Sequence, residues 1–165
     1  MRLIDLVSQL QAGRLTDGGD VEVSTATYDS RRAGPGSVFV AVPGLKVDGH
    51  DYLEQALTRG AAAIAVQADH EMKWRQLAER RGIPTIVVPD TRIALARIAA
   101  AIAGYPARKI GVIGVTGTDG KTSLSHLIEH VLRSAGRPVG LISTAECRIG
   151  ERPLRCARCG TPHHR

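Results

Sequence analysis

Ile110-Gly111-Val112-Ile113-Gly114-Val115-Thr116-Gly117-Thr118-Asp119-Gly120-Lys121-Thr122-Ser123 is the stretch on which the fold turns. Residues 110–115 are an apolar run of the kind that forms a buried strand. A glycine-rich loop follows. Leu124, Leu127, Ile128, Val131 and Leu132 then fall on one face of a helix, which Gly136 and Pro138 end. Val139 to Ile142 reads as the next strand. Strand, glycine loop, helix and strand together predict the opening unit of a phosphate-loop ATPase-type domain with a parallel sheet.

The loop has a physical logic. Glycines lack Cβ atoms, so backbone N–H groups can converge on phosphate oxygens. The first turn of the following helix adds its positive dipole end. Lys121 supplies a point charge for the outer phosphates, and the Thr122 hydroxyl is a candidate Mg²⁺ ligand. The spacing departs from the general nucleotide-loop pattern. That pattern needs a glycine where Val115 stands, whereas here the glycines are Gly114 and Gly117.

Upstream, apolar strands alternate with amphipathic helices. Leu3, Leu6, Val7 and Leu10 lie at helical spacing, Val21 to Tyr28 alternates as a strand does, and Val38 to Val42 is a buried strand closed by Pro43-Gly44. A helix over 51–58 precedes a strand at 61–66, a helix over 71–81 a strand at 84–88, and Asp90 or Thr91 caps a helix running to Ala103. This is α/β patterning with a mostly parallel sheet. The break at Gly104-Tyr105-Pro106-Ala107-Arg108 separates an N-terminal α/β substrate-binding domain, 1–106, from the start of a central nucleotide-binding domain, 107–165. One strand-loop-helix-strand unit cannot cover both faces of a sheet, so the second domain reads as truncated.

The composition is that of an ordinary globular protein, 43% apolar and 23% charged, with no apolar run near the roughly 18 residues of a membrane span. No export signal is recognisable at the start, so a cytoplasmic location is expected. The net charge of +6 would fit a nucleic-acid partner, but five arginines and one glutamate crowd into 148–165, and the rest is near neutral. A solvated basic tail is the expectation, with no nucleic-acid or membrane partner. Three cysteines, Cys147, Cys156 and Cys159, read as reduced thiols. Cys156, Cys159, His163 and His164 resemble half a zinc site, but the arginines around them favour a basic end that holds no metal. His126 and His130 are one helical turn apart and read as solvated, and His70 reads as a helix-start residue.

The glycine loop resembles the ATP site of the Mur ligases, which usually read Gly-Thr-Asn-Gly-Lys-Thr; here Asp119 takes the place of Asn. Tyr28-Asp29-Ser30-Arg31-Arg32 with Gly34-Pro35-Gly36-Ser37-Val38-Phe39-Val40-Ala41 resembles the family's first-domain signature, and Gly44-Leu45-Lys46-Val47-Asp48-Gly49-His50-Asp51 continues it. Gly140-Leu141-Ile142-Ser143-Thr144 and Arg148-Ile149-Gly150 resemble the segment after the ATP-loop helix. The resemblance implies an ATP- and Mg²⁺-dependent amide ligase of peptidoglycan precursor synthesis. It would add an amino acid to UDP-N-acetylmuramoyl-L-alanyl-D-glutamate through an acyl phosphate, as a monomer, with the ligase adding the terminal dipeptide as the nearest alternative. It also implies ATP contacts from Gly117, Thr118, Asp119, Gly120, Lys121, Thr122 and Ser123, with Mg²⁺ on Thr122. Substrate contacts are implied for Tyr28, Ser30, Leu45, Lys46, Val47, Gly160 and Thr161. From the residues alone, Asp29 and Ser30 could equally cap a turn, and Lys46 could be a solvated loop charge.

The family next reads Thr-Thr-Pro-Glu, where this chain has Gly160-Thr161-Pro162-His163. That departure, and the lack of a counterpart to the family's third domain, predict a fragment that does not ligate alone. A non-catalytic binding module for the UDP-substrate or a nucleotide is the second reading. A small phosphate-loop NTPase is the third; it would need a downstream acid on a strand, which the sequence does not offer.

Overall fold

The computed structural model describes residues 1–10, 12–16 and 19–154. The chain forms two compact units, Met1–Gly111 and a second from Val112 onward.

In the first unit five strands make one sheet in the order β1-β5-β4-β3-β2. They are β1 (Arg14–Thr16), β2 (Thr25–Thr27), β3 (Ser37–Val40), β4 (Ala63–Gln67) and β5 (Thr85–Val88). β2 to β5 are mutually parallel, and β1 runs antiparallel along β5 with Arg14 opposite Val87. Every residue of β3 and β5 is buried, as expected for parallel strands covered on both faces. On one face α1 (Leu3–Ser8) and α4 (Thr91–Ile102) pack Leu3, Leu6, Ala94 and Ile98 against Val38, Val40, Ala63 and Ile86. On the other, α2 (Leu53–Thr58) and α3 (Glu71–Arg81) pack Leu53, Ala56, Trp74 and Ala78 against Phe39, Ile64 and Val66. Successive side chains of a strand point to opposite faces, so one apolar run supplies both cores.

The punctuation follows local chemistry. Asp90 caps α4 by accepting from the N–H groups of Arg92 (2.7 Å) and Ile93 (3.0 Å). Gly82 ends α3 in the left-handed conformation, at φ +60°, that glycine adopts without a Cβ penalty. The strand read over 21–28 is shorter than its pattern. Only Thr25–Thr27 pairs with β3, while Glu22 makes an isolated bridge to Arg2.

The second unit differs from the pattern in two respects. Residues 110–115 form no strand; Ile110, Val112 and Ile113 are largely exposed. A strand needs neighbours to satisfy its N–H and C=O groups, and among the described residues none lies alongside. The strand β6 (Gly140–Ile142) pairs antiparallel with β7 (Cys147–Ile149), which pairs antiparallel with β8 (Arg152–Pro153), so the small sheet is not the parallel one expected. The helix does form, as α5 (Lys121–Ser134). Cys147 is buried and disulfide-bonded, which corrects the reduced-thiol reading for that residue; Cys156 and Cys159 lie outside the described residues. No helix is long and apolar enough to cross a membrane among the described residues.

Replacing Asp90 by Ala leaves two N–H groups of the first turn of α4 without their acceptor. The expected loss is about 1–2 kcal/mol of unfolding free energy, read as a lower denaturation midpoint in urea. An unchanged midpoint would mean that the cap does not contribute to stability.

Candidate functional site

Ligands of open parallel sheets gather outside the carboxyl ends of the strands. In the first unit those ends emit the connection after β2, with Tyr28, Asp29 and Ser30; the one after β3, with Leu45, Lys46 and Val47; and the one after β4, with Gln67 and His70. The two segments singled out in the sequence therefore leave the same end of adjacent strands.

The first segment is built on Asp29. Its carboxylate accepts from the Arg31 N–H (3.1 Å) and takes a two-pronged grip from the Arg31 guanidinium at Nε (2.9 Å) and Nη2 (2.8 Å). This starts a 3-10 turn over Ser30–Arg32, so Asp29 caps a turn. The bonds from Arg31 lower the Asp29 pKa to about 2, against a smaller opposing effect of burial. Ser30 is buried, with its hydroxyl donating to Gln55 Oε1 (2.5 Å). Tyr28 is half exposed.

The second segment is a closed loop. The Gly44 N–H donates to Val47 O (2.9 Å), the Gly49 N–H to Val42 O (3.0 Å), and Pro43 bridges to Asp48. Arg92 Nη2 reaches back to Pro43 O (2.5 Å). Neither glycine tolerates a side chain: a Cβ on Gly44 would sit 2.6 Å from Val47 O, and one on Gly49 2.5 Å from Val42 N. The loop is thus held from inside while presenting Leu45 fully to solvent, beside exposed Lys46 and Val47.

Behind the loop lies a cluster that the sequence did not reveal. Asp48 Oδ1 meets His50 Nδ1 at 2.7 Å, and Asp48 Oδ2 meets His70 Nδ1 at 3.1 Å. The two imidazoles stack at 4.3 Å, 9° from parallel. Their sequence separation hid this; the crossover from β3 to β4 closes it. His70 is also the residue before α3, as expected of a helix-start residue.

In the second unit, Gly117 (φ +149°) and Gly120 (φ +72°) take conformations that side chains disfavour, and Gly120 caps α5. The Lys121 ammonium donates to the carbonyls of Gly117 (2.5 Å) and Thr118 (2.7 Å). The Thr122 hydroxyl lies 3.2 Å from that of Thr144, just past β6. Asp119 is exposed at the loop tip. No local pattern marks Thr144 out within the 140–144 segment; its placement depends on the turn at Ser143, whose N–H donates to Glu146 O (2.9 Å). The β6–β7 hairpin is locked to α5 by buried Glu129, which accepts from Arg148 Nη2 at 2.7 Å. His126 is half-buried, 3.6 Å from Glu146, and so is not simply solvated. These residues fit a nucleotide's phosphates and a hard cation in donor chemistry: glycine backbone N–H groups at a helix start, one ammonium, and hydroxyl oxygens. Gly160, Thr161 and the Cys156, Cys159, His163, His164 group lie outside the described residues.

The scaffold and loops define a class, an α/β unit with a mostly parallel sheet followed by a glycine-rich loop at the start of a helix. Residues 11–103 match the Mur ligase family, catalytic domain, and residues 115–163 the Mur ligase middle domain. The chain belongs to the Mur ligase family. It is 43% identical over 152 residues to the UDP-N-acetylmuramoyl-L-alanyl-D-glutamate--2,6-diaminopimelate ligase of Geobacillus thermodenitrificans, covering 92% of this chain and 29% of that protein. It is 43% identical over 157 residues to the UDP-N-acetylmuramyl-tripeptide synthetase of Deinococcus radiodurans, covering 94% of this chain and 31% of that one. The chain thus spans about 30% of the length of these curated relatives. Among solved structures, MurF from Acinetobacter baumannii aligns with a TM-score of 0.49 at 26% identity, over 70% of this chain and 23% of that one.

The lowered Asp29 pKa has a pH signature. A folded pKa of about 2 against an ordinary 3.8 stabilises the fold above pH 3.8, and that contribution is lost as pH falls through about 2. With Asp29→Asn, unfolding free energy measured from pH 5 to pH 2 is expected to fall less steeply than in the wild type. Parallel curves would refute the Arg31 grip as its source.

Proposed function

We propose that this chain supplies the UDP-substrate and ATP-phosphate ends of an ATP-dependent amide ligase of peptidoglycan precursor synthesis. The reaction adds an amino acid to UDP-N-acetylmuramoyl-L-alanyl-D-glutamate. The substrate carboxylate attacks the γ-phosphorus of ATP, giving an acyl phosphate and ADP. The incoming amine then attacks the acyl carbon, and phosphate leaves with the bonding electron pair. The observation that carries this reading is the 117–122 loop, with ligase spacing, two glycines at positive φ and Lys121 folded over its carbonyls. The names of the relatives support the same substrate.

In this reading 1–106 is the substrate domain and 107–165 the opening of the ATP domain. Tyr28, Ser30, Leu45, Lys46 and Val47 receive the UDP end, and Gly160 and Thr161 meet the substrate further along. Gly117 to Ser123 receive the nucleotide: backbone N–H groups bind phosphate oxygens, Lys121 leaves its carbonyls for the outer phosphates, and Thr122 holds Mg²⁺. The bound cation would neutralise phosphate charge. The setting is a cytoplasmic monomer with no nucleic-acid or membrane partner.

A second reading, a binding module that does not turn over, is favoured by one observation. Residues 110–115 form no strand, so no sheet edge anchors the loop from its N-terminal side. In-line phosphoryl transfer depends on fixing the reacting groups within a fraction of an ångström.

Calorimetric titration of the 165-residue chain with UDP-N-acetylmuramoyl-L-alanyl-D-glutamate and with MgATP tests both readings. Binding of the UDP-substrate is expected, together with MgATP binding that Lys121→Ala weakens about tenfold or more. No phosphate release is expected from the chain with substrate, MgATP and diaminopimelate or lysine. Sustained release would sink the non-catalytic reading; absence of UDP-substrate binding would sink the substrate assignment.

A further inference from the structure

The Asp48, His50 and His70 cluster has the composition of a metal site, with ligand atoms all within 4.8 Å of one another. Its protonation pattern argues otherwise. His50 is completely buried, and its Nε2 receives the Gln67 backbone N–H at 3.0 Å. A backbone N–H can only donate, so Nε2 must be the bare nitrogen and Nδ1 carries the proton. That proton points at Asp48 Oδ1. A cation on Nδ1 would drive the proton to Nε2, where it would face the Gln67 N–H, donor against donor. The parallel stacking also keeps the two Nδ1 lone pairs from converging on one point.

Nor do the contacts resemble a passive helix start. Asp48 Oδ1 accepts from the His50 backbone N–H (3.0 Å) and meets the His50 ring at Nδ1, while Oδ2 lies 3.1 Å from His70 Nδ1. One carboxylate at the last residue of the exposed loop is therefore tied to buried His50, which is fixed to the end of β4, and to His70 at the start of α3. We propose that Asp48 is a positioning residue, and that its grip by the stacked His50 and His70 rings forms a latch holding the 43–48 loop in the shape that receives the uridine diphosphate end of the substrate. The inference rests on the substrate reading above and adds to it the residues that preset the loop. Without the latch, Leu45, Lys46 and Val47 would have to be ordered on binding, at a cost in affinity.

The latch has a readout that does not depend on substrate. Amide hydrogen exchange on the 165-residue chain reports the two bonds that close the loop, Gly44 N–H to Val47 O and Gly49 N–H to Val42 O, against the Ile64 N–H, bonded to Pro84 O at the sheet. His70 is partly exposed, so His70→Ala is expected to fold. It should speed exchange at Gly44 and Gly49 about tenfold while leaving Ile64 unchanged, and weaken calorimetric binding of UDP about fivefold. His70→Asn, whose amide nitrogen falls near the position of Nδ1, should restore both. Asp48→Ala should reproduce the His70→Ala effects more strongly.

Unchanged exchange at Gly44 and Gly49 in both alanine variants overturns the latch. So does faster exchange at Ile64 by the same factor, which would make the effect one of global stability, and so does a failure of His70→Asn to restore the loop. If the exchange pattern responds as expected but the wild-type chain shows no affinity for UDP, the latch stands and the uridine assignment falls.

Discussion

A backbone strand taken out of water must have its N–H and C=O groups paired along both edges, and the first unit is arranged around that requirement. β3 and β4 each have a parallel neighbour on both sides, β5 is closed by antiparallel β1, and the helices cover the faces. Once four parallel strands are in register, their carboxyl ends lie along one edge. The connections leaving that edge can then be polar, tied and ligand-shaped without disturbing the core. The second unit shows the same rule from the other side: the apolar run 110–115 stays irregular and exposed where no described neighbour pairs with it.

The polar residues at this edge act as ties more than as solvated charges. Asp29 holds Arg31, Asp90 holds the first turn of α4, Arg92 holds Pro43, and Asp48 holds two imidazoles. Each secures a short connection that has too few apolar side chains to be secured by burial. Exposed ion pairs such as Asp29 with Arg31 contribute little stability individually, whereas the Asp90 cap contributes as helix caps do. What the ties provide is a narrower set of loop conformations, and preset loops reduce the ordering that any ligand requires on binding.

How much of this was legible in the sequence follows from the range of each interaction. Strand runs such as Ala63–Gln67, the Asp90 cap and the Gly82 stop are local, and their residues announce them. The phosphate loop was also local, down to Gly120 at the start of α5. β1 was not legible, because Arg14-Leu15-Thr16 holds a single apolar residue and becomes a strand only by lying against β5. The Asp48 cluster was missed because His50 and His70 are brought together by the crossover, and no local pattern encodes a crossover. Thr144 beside Thr122 depends likewise on a hairpin turn between distant segments. Residues 110–115 were over-read in the opposite sense: hydrophobic pattern reports what a segment prefers to bury, not whether a partner is at hand.

The exposed run also has a colloidal consequence. Ile110, Gly111, Val112, Ile113, Gly114 and Val115 form six uncharged residues rich in β-branched side chains, lying close in sequence to exposed Leu124, Leu127 and Val131 on α5. Such a segment, with no charge or proline inside it, is suited to edge-to-edge association between copies, and Arg108 and Lys109 immediately before it are the charges that oppose this. The balance between that apolar run and the two cations before it therefore bears on how concentrated a solution of this chain can become.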